Sequence, residues 1–168
     1  VAVAADFSKG LDAYNLGDFK TALAEWTPLA EQRNVSAQYN LGQMHRRGEG
    51  VPKNLKTAVK WYTLAAEQGH VDAQYNLGVL YGIGQGVLKN DKTAVKWYTL
   101  AAEQGDAMAQ FNLALKYDNG EGVLENDKTA VKWYTLAAEQ GKANAQFNLA
   151  LKYDNGDGVL ENDKTAVK

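Results

Sequence analysis

The chain repeats itself every 36 residues, and this period limits what it can fold into more than any other feature of the sequence. "TAVKWYTLAAEQG" begins at Thr57, Thr93 and Thr129, and "TAVK" returns at Thr165. A second phrase keeps step with the first: "AQYNLG" at Ala37 and Ala73, then "AQFNLA" at Ala109 and Ala145. Residues 107–132 and 143–168 differ only at Met108/Asn144 and Glu121/Asp157, which points to recent duplication. A unit this short cannot enclose a core by itself, so the copies must stack to bury their apolar faces.

Each unit reads as two helices. Ala37, Leu41 and His45 recur at i, i+4 and i+8, with Ala73, Leu77 and Tyr81 in register, which is a helical stripe and not a strand alternation. Ala58, Trp61, Tyr62, Ala65 and Ala66 form the stripe of the second helix. The alanines allow close approach, and Trp61, Tyr62 and their copies are expected to fill the seams. Asn90, Asn126 and Asn162 stand where an N-cap is wanted, each followed by an Asp that suits the helix dipole. Gly69, Gly105 and Gly141 then end the second helix. The fold expected is all-α: a right-handed α-solenoid superhelix of antiparallel helix pairs.

Between the two helices lie paired glycines: Gly48 and Gly50, Gly84 and Gly86, Gly120 and Gly122, Gly156 and Gly158. The acidic residues around the later pairs look like a calcium loop. The register fails, however: placing Asn155, Asp157 and Gly158 at loop positions three, five and six puts Tyr153 at position one and Lys164 at twelve. A phosphate cradle would need a strand before the glycines, and here a helix precedes them. Glycine therefore serves to reverse the chain between antiparallel helices, with Val51, Val87, Val123 and Val159 tucked under the turns.

These phrases resemble the Sel-one-like repeat (SLR) family, relatives of the tetratricopeptide repeats. The resemblance rests on "AQYNLG", an aromatic a turn later, "G-x-G-V" and "A-x-x-WY-x-x-AA-x-x-G", and covers residues 34–168. It divides the chain into repeats at 34–69, 70–105 and 106–141, with an incomplete one at 142–168. Residues 6–33 lack the long glycine loop and resemble a plain tetratricopeptide pair, expected to cap a single solenoid domain. Pro28 falls inside its second helix, where it removes the bond to the Ala24 carbonyl and should kink the helix. The chain stops at Lys168 inside a second helix, so further repeats are expected to follow.

Charge and composition narrow the function. With 18 basic and 20 acidic residues, the net charge of −2 gives no footprint for nucleic acid. There is no cysteine, hence no disulfide and no thiolate metal site, and no apolar run long enough to span a bilayer. The opening "VAVAAD" resembles the region around a signal-peptide cleavage site, which favours a periplasmic or secreted protein. His45 and His70 share no metal-ligand spacing, and His45 takes the place of a tyrosine in the other copies. No nucleophile motif is present, so no catalytic residue, cofactor or metal is assigned.

What remains is a surface. Beside the packing stripe of each first helix runs a second stripe: Tyr39, Asn40, Gln43 and Arg47, then Tyr75, Asn76, Val79 and Ile83. Later copies supply Phe111, Asn112, Leu115 and Asn119, and Phe147, Asn148, Leu151 and Asn155. By analogy with tetratricopeptide grooves, the asparagines are placed to hold a peptide backbone and the aromatics to supply contact area. The resemblance implies a non-catalytic scaffold, since Sel-one-like proteins serve signalling, protein quality control and, in bacteria, host interaction. It also raises an alternative, the penicillin binding and β-lactamase activity linked to cysteine-rich members, which this cysteine-free chain does not match. A protein or peptide is thus the expected partner, and self-association through the C-terminal end a further expectation.

Overall fold

Nine α-helices and no strand occur among the described residues, 4–159, of the computed structural model. They are α1 (Phe7–Asn15), α2 (Phe19–Glu31), α3 (Val35–Arg47), α4 (Leu55–Glu67), α5 (Val71–Ile83), α6 (Asp91–Glu103), α7 (Ala107–Asn119), α8 (Asp127–Glu139) and α9 (Ala143–Asn155). The chain divides between Lys89 and Asn90 into two compact units. In the first, each of α1 to α4 packs against the next helix in sequence, and in the second each of α6 to α8 does the same.

Local chemistry sets the helix boundaries. Asn54, Asn90 and Asn126 each accept a hydrogen bond from the backbone N–H three residues on, at 3.0, 2.9 and 2.9 Å. Asn162 lies outside the described residues. The first helices are capped by Asn34, His70 and Asp106 in the same way, whereas Lys142 gives α9 no side-chain cap. At the end of α4, Gly69 N–H donates to the Ala66 carbonyl and His70 N–H to the Ala65 carbonyl, at 3.0 and 3.1 Å. That is a Schellman end, with glycine in the left-handed conformation it requires. In the first pair the corresponding position holds Arg33, with φ 69°. The α2 helix runs on through Pro28 as far as Glu31.

The predicted stripes are the core. Ala37, Leu41, Ala73 and Leu77 are buried, as are Ala58, Tyr62, Ala65 and Ala66. The tryptophans differ: Trp97 and Trp133 are buried, while Trp61 is only half-buried. Trp61 nevertheless packs against the core cluster that holds Ala22, Trp26 and Ala30.

The glycine loops do more than turn the chain. Gly50, Gly86, Gly122 and Gly158 rest against Phe19, Leu55, Asp91 and Asp127, each the first residue of the second helix one repeat back. Beside them a second position changes in chemistry between the units. In the second unit Lys116 pairs with Asp91 and Lys152 with Asp127, both at 2.7 Å. The matching positions of the first unit are apolar: Phe19 packs against the core cluster that holds Met44, and Leu80 and Leu55 stand at the corresponding places one repeat on.

Candidate functional site

In the first unit, Tyr39, Asn40, Gln43 and Arg47 lie along one face of α3 and line a depression of about 200 Å³ together with Leu11, Tyr14, Asn15 and Trp26. The spacing of 1, 4 and 8 residues puts them on that face. Four residues of the stripe read from the sequence are thus brought together.

Most of this lining is fixed by internal bonds. The Tyr62 hydroxyl donates to Gln43 Oε1 at 2.9 Å, and Arg46 Nε donates to the same oxygen at 3.0 Å. Gln43 Nε2 in turn donates to the Tyr39 hydroxyl at 2.6 Å. The Tyr39 ring stacks on His70 at 4.3 Å and tilts against Tyr62 at 5.9 Å. Arg47 donates to the Tyr14 hydroxyl at 3.0 Å, and that hydroxyl donates to Glu49 at 2.6 Å. Arg47 is therefore tied across from α3 to α1. Burial raises the Tyr39 and Tyr62 hydroxyls above their usual range, so both stay protonated donors near neutral pH.

Two side chains in the depression are left over. Among the described residues, the carboxamides of Asn15 and Asn40 make no hydrogen bond. Each offers a donor and an acceptor, the pair of groups that a peptide unit presents in complement. Tyr75, Asn76 and Val79 are half-buried and do not line this depression; Asn76 hydrogen-bonds the Tyr39 hydroxyl instead.

The second unit treats its copies differently. Phe111 tilts against Tyr134 at 6.0 Å and lines a depression of about 190 Å³ with Met108, Lys142, Ala143 and Asn144. Asn112 makes no hydrogen bond among the described residues. Asn148 is engaged: it donates to the Tyr134 hydroxyl at 3.1 Å, which donates to Asp118 at 3.0 Å. It borders a second depression, about 200 Å³, with Asp118, Leu151, Lys152, Asn155 and Asp157. Lys152 bridges Asp118 and Asp127 there. Phe147 stands 65% exposed. The stripe of the sequence is thus divided among separate hollows.

Neither histidine lies in a cluster of ligands, and no group of three or more His, Cys, Asp or Glu able to hold a metal occurs among the described residues. His45 Nδ1 is buried without a partner, and burial lowers its pKa. His70 is also lowered by burial, against a smaller opposing pull from Asp72, and its Nδ1 accepts from Ala73 N–H at 3.4 Å. No helix of the described residues is long and apolar enough to cross a membrane.

Sequence reasoning passed over the glutamines. Gln38, Gln74 and Gln110 are buried, and their side-chain amides donate to the carbonyls of Ala30, Ala66 and Ala102 at 3.0, 3.1 and 3.2 Å. Those carbonyls close the preceding second helices, so each glutamine ties one repeat to the last. A polar residue recurring beside the buried alanine of "AQYN" was the available signal.

Antiparallel helix pairs packed in sequence define an all-α repeat protein of the α-solenoid class. The chain belongs to the Sel1 repeat family, whose repeats match at residues 35–70, 71–106, 107–142 and 143–168. It is similar to the crystal structure of a Sel1 repeat protein from Oxalobacter formigenes, with 38% identity and a TM-score of 0.87 over 93% of this chain. It is also similar to c5321, a protective antigen of uropathogenic Escherichia coli with an SLR fold, at 41% identity and a TM-score of 0.81 over 85% of this chain. The chain spans 64% and 31% of the lengths of those two proteins. The Helicobacter pylori cysteine-rich protein B shares the fold, with a TM-score of 0.61 and 24% identity over 79% of this chain and 95% of its own. No curated protein sequence is significantly similar to the chain.

Proposed function

We propose that the chain is a non-catalytic scaffold that binds an extended segment of a protein partner in the depression between α1 and α3. Family membership supports an interaction role in general, as Sel1 repeat proteins are generally protein-interaction scaffolds. The observation that carries the specific site is the pair of unbonded carboxamides, Asn15 and Asn40, set in a lining otherwise fixed by the Gln43 and Arg47 networks. Preorganised walls lower the entropy lost on binding, and the two free amides give a backbone something to pair with. Arg47, held by the Tyr14 hydroxyl and 3.7 Å from Glu49, fixes one wall of the depression. On the second unit, Phe111, Asn112 and Phe147 extend the same role, and Asn148 serves it indirectly by fixing Tyr134. Tyr75, Asn76 and Val79 act as supports of Tyr39 and its neighbours.

Affinity capture with the wild-type chain and with Asn40→Asp tests this reading. Asn40 makes no internal bond, so the variant should melt with the wild type. A partner enriched by the wild type should be recovered at least tenfold less with the variant. Equal recovery of every partner by both proteins would refute the site.

A further inference from the structure

A second, larger depression, about 350 Å³, opens on the other helix of the repeats, between α2 and α4, with Trp61 and Leu64 on one side and Glu31, Arg33 and Glu67 around it. The site goes beyond the function proposed above, on a separate surface. Two observations distinguish it from the equivalent places in the later repeats. The first is the ring itself: Trp61 is half-buried where Trp97 and Trp133 are buried. The second is what covers the rings. Lys96 lies over Trp97 with its ammonium 5.3 Å from the ring centroid, and Lys132 lies over Trp133 at 5.1 Å. Among the described residues no cation lies over Trp61, although Lys60 precedes it in the sequence as Lys96 and Lys132 precede theirs. The carboxylates at its rim are shared with the later repeats, where Glu103 and Glu139 are exposed as well. Glu31 and Glu67 are exposed, and neither carboxylate has a hydrogen bond or ion pair among the described residues.

We propose that this depression is a binding site for the cationic side chain of a lysine or arginine carried by a partner polypeptide. A tryptophan face attracts a cation through its quadrupole, most strongly where water is partly excluded. The two copies in the second unit, Trp97 and Trp133, use their own lysines for that contact, which shows that the ring at this position of the repeat accepts an ammonium. At Trp61 the position over the ring is open and a hollow leads to it. The exposed Leu64 suits the aliphatic stem of a long basic side chain. Two carboxylates at the rim outweigh the single Arg33 guanidinium, which has no hydrogen bond or ion pair among the described residues. The balance therefore favours a cation over an anion.

The test follows the indole N–H signal of Trp61 by NMR, assigned with Trp61→Phe, while blocked Gly-Lys-Gly, Gly-Arg-Gly and Gly-norleucine-Gly peptides and free spermidine are titrated in. The lysine and arginine peptides should shift Trp61 saturably and leave Trp133 in place, and norleucine should bind at least fivefold more weakly. Glu31→Gln with Glu67→Gln, both exposed changes, should weaken the lysine peptide about tenfold, and Arg33→Gly should tighten it. An equal response to norleucine would make the hollow merely apolar and overturn the proposal. So would unchanged affinity in the double glutamine variant, or spermidine binding tighter than both basic peptides. Each readout is independent of the α1–α3 depression, so failure of one site leaves the other standing.

Discussion

Gly122 lies so close to Asp91 that a Cβ on it would stand 2.4 Å from the Asp91 carbonyl carbon and 2.6 Å from the Lys92 amide nitrogen. The obstacle is backbone, which cannot swing aside. Gly105 also has a positive φ, at 92°, but nothing lies within 4 Å of its absent Cβ. Gly105→Ala should therefore cost only the conformational term, about 1–2 kcal/mol. Gly122→Ala adds an overpacking term of about 1–3 kcal/mol, and urea unfolding of the two variants should separate them by that amount.

Arg33 occupies the left-handed position that Gly69, Gly105 and Gly141 hold elsewhere, with φ 69°. Its side chain makes no compensating hydrogen bond or ion pair among the described residues. Arg33→Gly should stabilise the chain by about 1 kcal/mol. For a chain of this size that is a rise in melting temperature of about 2–4 °C, readable by calorimetry.

The buried glutamines divide by environment. Gln110 donates to the Ala102 carbonyl at 3.2 Å and accepts from Gln140 at 2.8 Å. Gln110→Leu removes the buried bond to the Ala102 carbonyl, which keeps only the Gly105 N–H, and should cost about 1–2 kcal/mol, while the exposed Gln140 keeps its bond to the Gly105 carbonyl. Gln146 makes the same bond, to Ala138 at 3.2 Å, but is exposed. Gln146→Leu should cost less than about 0.5 kcal/mol, since water replaces the lost donor.

Burial holds the His45 pKa below its ordinary value of 6.5, so the folded chain favours the neutral ring. The unfolded chain takes up its proton first as the pH falls. The stability tied to His45 is therefore complete above about pH 6.5 and is lost on acidification towards the depressed folded value. His70 contributes in the same direction. His45→Tyr, the residue of the later copies, should shrink the fall in melting temperature between about pH 7.5 and pH 5 without abolishing it.

The helices, their caps and their stacking were legible because they depend on period and on single-residue chemistry. The alanine and leucine stripes, Asn90 and Asn126 at helix starts and Gly69 at a helix end all follow from local rules. The reach of Gly122 to Asp91 was not legible, for the contact joins residues 31 apart and depends on how repeats dock. The same docking explains why Lys116 with Asp91 and Leu80 with Leu55 stand at matching places: one seam accepts either an ion pair or apolar residues. In the candidate site, Tyr39, Asn40, Gln43 and Arg47 share a hollow as their helical spacing suggests. Which of the four are already spent was hidden, because the Gln43 and Arg47 bonds come from Tyr62 on α4 and Tyr14 on α1. Only Asn40 is left unbonded.

A photo-crosslinking residue placed at Leu11, exposed at the edge of the α1–α3 depression, tests the binding role most directly, with the same residue at exposed Lys128 as control. In a lysate of the source cell, position 11 should yield a discrete crosslinked polypeptide that disappears when Asn40→Asp is added, and position 128 should not yield it. Identical crosslinks from both positions, or a crosslink at position 11 that survives Asn40→Asp at full strength, would contradict the account.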